Sequence, residues 1–246
     1  MTQSLKYMLL AAVCTFACCT LSAQETDYPT ALSEYYAQDF NGAFATLQAA
    51  AEAGDARAQR DVGFCYLRGK GVEKDPAQAF VWFEKSALQG NPRGQASLGF
   101  CYAKGIGVKR DYGKAVEWYT RAATQGDHWA QHNLGHCYRK GLGVGQNHVL
   151  AVQWYRRAAD QGDPVAQFFM GMAYKRGKGV EKDPVQAVQW LQKAADQGVS
   201  FAMNNLGVCY LNGEGVDRNE ALAKEWFTRA AQKGNKRAKR NLKKMK

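Results

Sequence analysis

Apolar positions along this chain recur at helical rather than strand intervals. In residues 55–90, Ala58, Val62 and Tyr66 stand four apart, which puts them on one face of a helix beginning near Ala58. Ala79, Trp82 or Phe83, and Ala87 mark a second apolar stripe that stops at Gly90. Between the stripes, Gly69-Lys70-Gly71 offers a left-handed C-cap and a turn. Asp75-Pro76 then supplies an N-cap carboxylate and a first helical residue that needs no donor. Gly63 falls where a side chain would hold the partner helix away. Each unit is therefore expected to be a helix–turn–helix.

The unit repeats every 36 residues. Trp82, Trp118, Trp154, Trp190 and Trp226 keep that spacing, as do Gly63, Gly99, Gly135, Gly171 and Gly207, and Tyr66, Tyr102, Tyr138, Tyr174 and Tyr210. Asp111, Asn147, Asp183 and Asn219 occupy the cap slot of Asp75. The complete repeats are 55–90, 91–126, 127–162, 163–198 and 199–234. Residues 41–54 match a second helix with Thr46 in the tryptophan slot, and 31–38 read as its first helix, so 24–54 form a degenerate N-terminal capping repeat. Residues 235–246 begin a sixth first helix and turn basic, as a C-terminal capping helix or tail. Such ends suit a stack whose outer faces must be wettable. The expected fold class is all-α: a right-handed superhelical solenoid of 36-residue helix–turn–helix repeats.

The spacing A-x3-L-G-x-x-Y-x-x-G-x-G-V, D-x3-A-x-x-W, A-A-x-x-G resembles the SEL-one-like repeat (SLR), a relative of the tetratricopeptide repeat. In the second unit Ser97-Leu98-Gly99, Tyr102, Gly105-Ile106-Gly107-Val108, Asp111, Ala115, Trp118 and Ala122-Ala123 carry it, with Gly94 in the leading alanine slot. The resemblance implies a scaffold that holds protein partners, in bacteria often within the cell envelope. Cysteine-rich SLR proteins are associated with penicillin binding and β-lactamase activity, which makes a β-lactamase-like or penicillin-binding role the enzymatic alternative. Fold alone does not fix function.

Helical geometry separates framework from a candidate groove. Repeat positions 4, 8 and 12 cluster within about 80° at roughly 100° per residue. Positions 3, 6, 10 and 13 fall opposite, and are expected to face away from the second helix along the inner wall. They read Arg57, Arg60, Phe64, Leu67; Arg93, Ala96, Phe100, Ala103; Trp129, His132, His136, Arg139; Val165, Phe168, Met172, Lys175; and Phe201, Asn204, Val208, Leu211. A variable, largely apolar lane suits a peptide-binding groove. The alternative is that curvature packs neighbouring first helices together and buries this lining, position 10 first.

All four histidines lie in the third unit. His128, His132 and His136 share a helical face, but no acid or cysteine joins them in phase, so no metal and no cofactor is expected. A pH-sensitive patch is the other use of such a face. Cys65, Cys101, Cys137 and Cys209 occupy one repeat position. Stacked equivalents stand about 10 Å apart, beyond the roughly 7 Å a disulfide allows. Some SLR proteins pair two cysteines within each repeat, and these repeats hold at most one. Four buried thiols are expected.

Lys6 followed by an apolar run over 7–21 and by Leu21-Ser22-Ala23 reads as an export signal cleaved after Ala23, with a lipid anchor at Cys18 or Cys19, or an uncleaved anchor, as alternatives. The run is shorter than the roughly 20 residues of a membrane span, and no later segment is apolar enough to be one. A periplasmic or secreted protein without a transmembrane helix in its mature form is expected. The chain has a net charge of +11, and its last 12 residues hold seven cations and no acid. Lys236, Arg237, Lys239, Arg240, Lys243 and Lys244 could therefore hold an anionic lipid or envelope polymer. No base-reading motif occurs, so nucleic acid is not an expected partner. Neither H-E-x-x-H, G-x-S-x-G nor S-x-x-K is present. The sequence therefore points to a non-catalytic scaffold that binds a protein or peptide.

Overall fold

The structure is a computed structural model and describes residues 40–245. The export signal and the helix expected over 31–38 lie outside the described residues. Two compact units divide the chain at Asp111 and Tyr112. The first contains α1 (Phe40–Glu52), α2 (Ala56–Arg68), α3 (Pro76–Leu88) and α4 (Pro92–Lys104). The second contains α5 (Tyr112–Thr124), α6 (His128–Lys140), α7 (His148–Asp160), α8 (Pro164–Arg176), α9 (Pro184–Asp196), α10 (Ser200–Asn212), α11 (Glu220–Gln232) and α12 (Lys236–Lys244). No strand occurs among the described residues. Within each unit every helix packs on the next, and α2 also meets α4. The fold is an all-α solenoid.

Helix boundaries follow local chemistry. The Asp75 carboxylate accepts from the N–H groups of Ala77 and Gln78 at 2.8 and 3.0 Å, and Pro76 opens α3. Asp183 caps α9 in the same way, while the amide oxygens of Asn147 and Asn219 each accept one N–H, from Leu150 and Leu222, to cap α7 and α11. First helices carry their own caps at Asp55, Asn91, Asp127 and Asp163, whereas Val199 makes no side-chain cap. At the other end Gly69 adopts φ 67° and its N–H bonds the Cys65 carbonyl at 2.8 Å.

The paired helices close at one glycine per repeat. A Cβ on Gly63 would stand 2.6 Å from the Phe83 ring, and one on Gly207 would stand 2.7 Å from Phe227. The residue at this facing position is a large, fully buried side chain of the second helix: Phe83, Tyr119, Tyr155, Leu191 and Phe227 are each at most 2% exposed. The tryptophans lie one position earlier and nearer the edge, where Lys85, Arg121, Arg157, Lys193 and Arg229 place a cation 3.9 to 4.8 Å from their rings.

A second loop glycine joins repeat to repeat. Cβ atoms on Gly107, Gly143, Gly179 and Gly215 would overlap the carbonyl oxygens of Pro76, Tyr112, His148 and Pro184 in the preceding second helices. Buried glutamines reinforce the joint. Gln59, Gln131 and Gln167 donate to the carbonyls of Ala51, Ala123 and Ala159 at 3.1, 3.2 and 3.2 Å. They accept in turn from Gln89, Gln161 and Gln197 at 2.7, 2.9 and 2.8 Å. Each glutamine thus ties three successive helices, and among the described residues no buried side-chain nitrogen or oxygen lacks a partner.

Two glycines with similar φ separate backbone strain from contact. Gly126, at φ 93° with nothing within 4 Å of a Cβ, is expected to lose stability on Gly126→Ala by about 1 kcal/mol. Gly143→Ala forces a Cβ onto the Tyr112 carbonyl and is expected to lose roughly 2–4 kcal/mol. Thermal unfolding followed by circular dichroism measures both, and equal losses would contradict the role of the contact.

Candidate partner-binding site

In the first unit the lane is basic and partly packed away. Arg57 is exposed and donates to its own cap, Asp55, at 2.8 Å. Arg60 is half-buried and pairs with Asp61. Phe64 does not face away from the second helix as expected: its ring lies 4.9 Å from Phe83. The reason is Gly63, which brings α3 close enough for the next ring in the first helix to reach it. Arg60 and Arg68 stand 5.7 and 5.5 Å from the Phe64 centroid. Arg93 is exposed, Phe100 is half-buried beneath Lys104 at 6.0 Å, and Ala96 and Ala103 are buried.

The second unit presents aromatic and apolar groups instead. Trp129 is half-buried, edge-on to Tyr119 at 6.3 Å. Phe168 meets Phe169 at 5.3 Å and Phe201 at 6.4 Å. Phe201 is 58% exposed and Val165 is 38% exposed. Met172 and Val208 are half-buried and pack on the core of the last repeats. Asn204 is buried and accepts from Asn241 at 3.1 Å. Position 10 is half-buried in all five repeats, so the lane combines exposed and lining residues.

The three stacked histidines separate. His128 Nδ1 and His132 Nδ1 stand 3.4 and 3.6 Å from the carboxylate of Asp163, which belongs to the next repeat. His136 instead lies 3.0 Å from Arg139 Nη2. Sequence periodicity missed Asp163 because its phase places it in a cap, and it is a cap: its carboxylate accepts from the Ala166 N–H at 2.6 Å. Among the described residues no group of three or more His, Cys, Asp or Glu is placed to hold a metal ion. Burial would raise the Asp163 carboxyl, but the His132 side chain, the Ala166 N–H and His128 together hold it below its usual value.

The remaining charged and thiol groups fall into two sets. Cys65, Cys101, Cys137 and Cys209 are unpaired and buried, and burial pushes the thiols of Cys65, Cys101 and Cys137 up to about 11, 12 and 11. Cys14, Cys18 and Cys19 lie outside the described residues. Lys236, Arg237, Lys239, Arg240, Lys243 and Lys244 are all exposed on α12, while Ala238 and Leu242 on the same helix pack on the core beneath. No described helix is long and apolar enough to cross a membrane.

A carboxyl whose folded pKa is depressed contributes stability above its unfolded value and loses it as pH falls through the folded one. Asp163→Asn keeps a capping oxygen but removes the charge between the two histidines. The variant is expected to be less stable than the parent above about pH 4, with the gap closing in stronger acid. Urea midpoints across pH measure this, and a gap that persists in acid would show that charge is not its source.

Comparison with known proteins agrees with this architecture. The Sel1 repeat matches residues 56–91, 92–127, 130–163, 164–199 and 200–235. No curated protein matches the sequence. A Sel1 repeat protein from Oxalobacter formigenes is 35% identical, with a TM-score of 0.81, over 88% of this chain and 86% of that one. A protective antigen present in uropathogenic Escherichia coli strains, displaying an SLR fold, is also 35% identical, with a TM-score of 0.79, over 90% of this chain and 48% of the antigen. The present chain thus spans about half the length of that antigen. An immunity protein from Pseudomonas aeruginosa, at 21% identity and a TM-score of 0.55 over 83% of this chain and 82% of that one, shares the fold alone. Sel1 repeat proteins are generally protein-interaction scaffolds. With its five matched repeats, the chain belongs to the Sel1 repeat family.

Proposed function

We propose that this chain is an exported, non-catalytic scaffold of the bacterial cell envelope that holds a protein partner along the first helices of its second unit. The observation that carries the reading is the exposure of Phe201 and Val165 beside Phe168, on positions the helix framework does not need. Other exposed aliphatics, such as Val81, Leu88, Val149 and Val185, sit on second helices. Export rests on Lys6, the apolar run and Ala23. The β-lactamase-like alternative has little to work with in the thiols, since a buried thiol pushed to about 11 supplies no thiolate nucleophile near neutral pH.

The paired change Trp129→Ala and Phe201→Ala is the direct test. Crosslinking in the native envelope followed by mass spectrometry should lose the partner seen with the parent chain, while far-ultraviolet circular dichroism is unchanged. A partner retained at parental yield would sink the lane reading.

The exposed basic face of α12 favours a second attachment, to anionic lipid or envelope polymer. Changing Lys239, Arg240, Lys243 and Lys244 to Gln leaves Ala238 and Leu242 to cap the core. Sedimentation with anionic vesicles or isolated wall polymer should fall to background in that variant, and parental binding should weaken with salt. Unchanged sedimentation would remove the second attachment.

A further inference from the structure

The second unit contains a recess of about 170 Å³ between α6, α7 and α8 whose chemistry is more specific than that of the open lane. Its floor is the Tyr155 and Phe169 ring pair, stacked at 4.9 Å with their planes 19° apart. Met172 and Phe168 supply an apolar wall. The rim is cationic, with Arg139, Arg176 and Lys178 all lining it. No carboxylate lines the recess, and none of these three cations forms an ion pair among the described residues.

Arg139 is held in place without being neutralised. Its Nε donates to the Tyr155 hydroxyl at 3.2 Å, its Nη2 lies 3.0 Å from His136 Nδ1, and its guanidinium carbon sits 4.6 Å from the Phe169 centroid. Three polar or aromatic neighbours fix the fork, and none supplies negative charge. An oriented guanidinium of this kind is a carboxylate receptor, because charge-assisted pairing rewards an arginine whose geometry is already set.

The two surfaces together define the occupant. A bare inorganic anion would leave the half-buried Phe168, Phe169 and Met172 in water, and a purely apolar group would leave the rim cations unanswered. The volume is below the roughly 300 Å³ at which small-molecule pockets begin, so it suits one side chain. Phe168, Met172 and Arg139 occupy lane positions 6, 10 and 13, so the recess opens where an extended polypeptide would run. We infer that this recess binds a peptide segment of the partner in which an acidic residue adjoins an aromatic or large aliphatic one. The apolar side chain enters against Phe168, Phe169 and Met172, with Tyr155 behind the Phe169 ring, and the carboxylate meets the cations at the rim. This deepens the lane reading and rests on it.

Fluorescence polarisation with the purified protein tests the assignment, using labelled Gly/Ser peptides that carry a central Asp-Phe. Comparison peptides replace the acid (Asn-Phe) or the ring (Asp-Ser). The Asp-Phe peptide should bind, and each replacement should weaken it roughly tenfold. Arg176 and Lys178 are exposed, so Arg176→Ala with Lys178→Ala should keep the helicity and Tm of the parent. With Arg139 retained, that variant should narrow the preference for Asp-Phe over Asn-Phe rather than abolish it. Absent binding, equal binding of the Asn-Phe peptide, or an unchanged preference in the variant each overturns the inference. If the peptides fail but the Trp129 and Phe201 changes still release the crosslinked partner, the recess assignment falls and the lane reading stands. If neither set responds, both fall.

Discussion

The close approach of paired helices at a single glycine is the constraint on which the other packing depends. With only hydrogen on Gly135, Gly171 and Gly207, carbonyl oxygens of Ala151, Ala187 and Ala223 come to within 3.1 to 3.2 Å of where a Cβ would sit. That contact forces small residues around the crossing and drives one large side chain, such as Tyr155 or Leu191, into the gap. The tryptophan next to it in sequence is displaced toward the edge by helical geometry. A cation three residues on then covers its exposed face, as Arg157 does for Trp154 at 4.5 Å.

Because the framework consumes one face of each first helix, the opposite positions vary without disturbing the stack. In the first unit they are used for local charge balance: Arg57 answers Asp55, and Arg60 answers Asp61. In the second unit the same positions carry Trp129, Phe168 and Phe201, with few acids beside them. The repeat geometry is shared while the chemistry it displays differs.

The period, the caps of the second helices, the turn glycines and the framework core were legible because each answers a local demand of the backbone. Asp75 reads as a cap from its place before Pro76, and Gly63 reads as a crossing point from its phase. Burial along the lane was not legible, since it depends on the size of neighbours in other repeats: Ala96 is 1% exposed and Phe201 is 58% exposed in a nominally equivalent region. Gln59, Gln95, Gln131 and Gln167 keep the 36-residue spacing in plain view. Their role stays hidden because the acceptor is a main-chain carbonyl of the preceding repeat, which has no sequence signature. Asp163 is a similar case, a cap by spacing and a histidine partner only once the repeats are stacked.

The fifth repeat shows how the joint can be rebuilt when these devices are missing. Val199 cannot cap α10, and Met203 stands in the glutamine slot. Losing such a cap costs about 1 kcal/mol, and a satisfied buried hydrogen bond contributes a similar amount. Other side chains take over: Lys175 reaches Glu214 at 2.5 Å, Asn235 donates to the Ser200 carbonyl at 3.0 Å, and Asn241 donates to Asn204 at 3.1 Å. The Lys175 amine also lowers the Glu214 carboxyl by hydrogen bonding to it, although Glu214 is partly open to solvent, which limits what the pair contributes. Two of the three replacements come from α12 or its cap. In a linear array stability is a sum of neighbour terms, so α12 holds in place the repeat that displays Phe201. The basic helix is therefore a structural support for the apolar end of the lane, whatever its exposed cations bind.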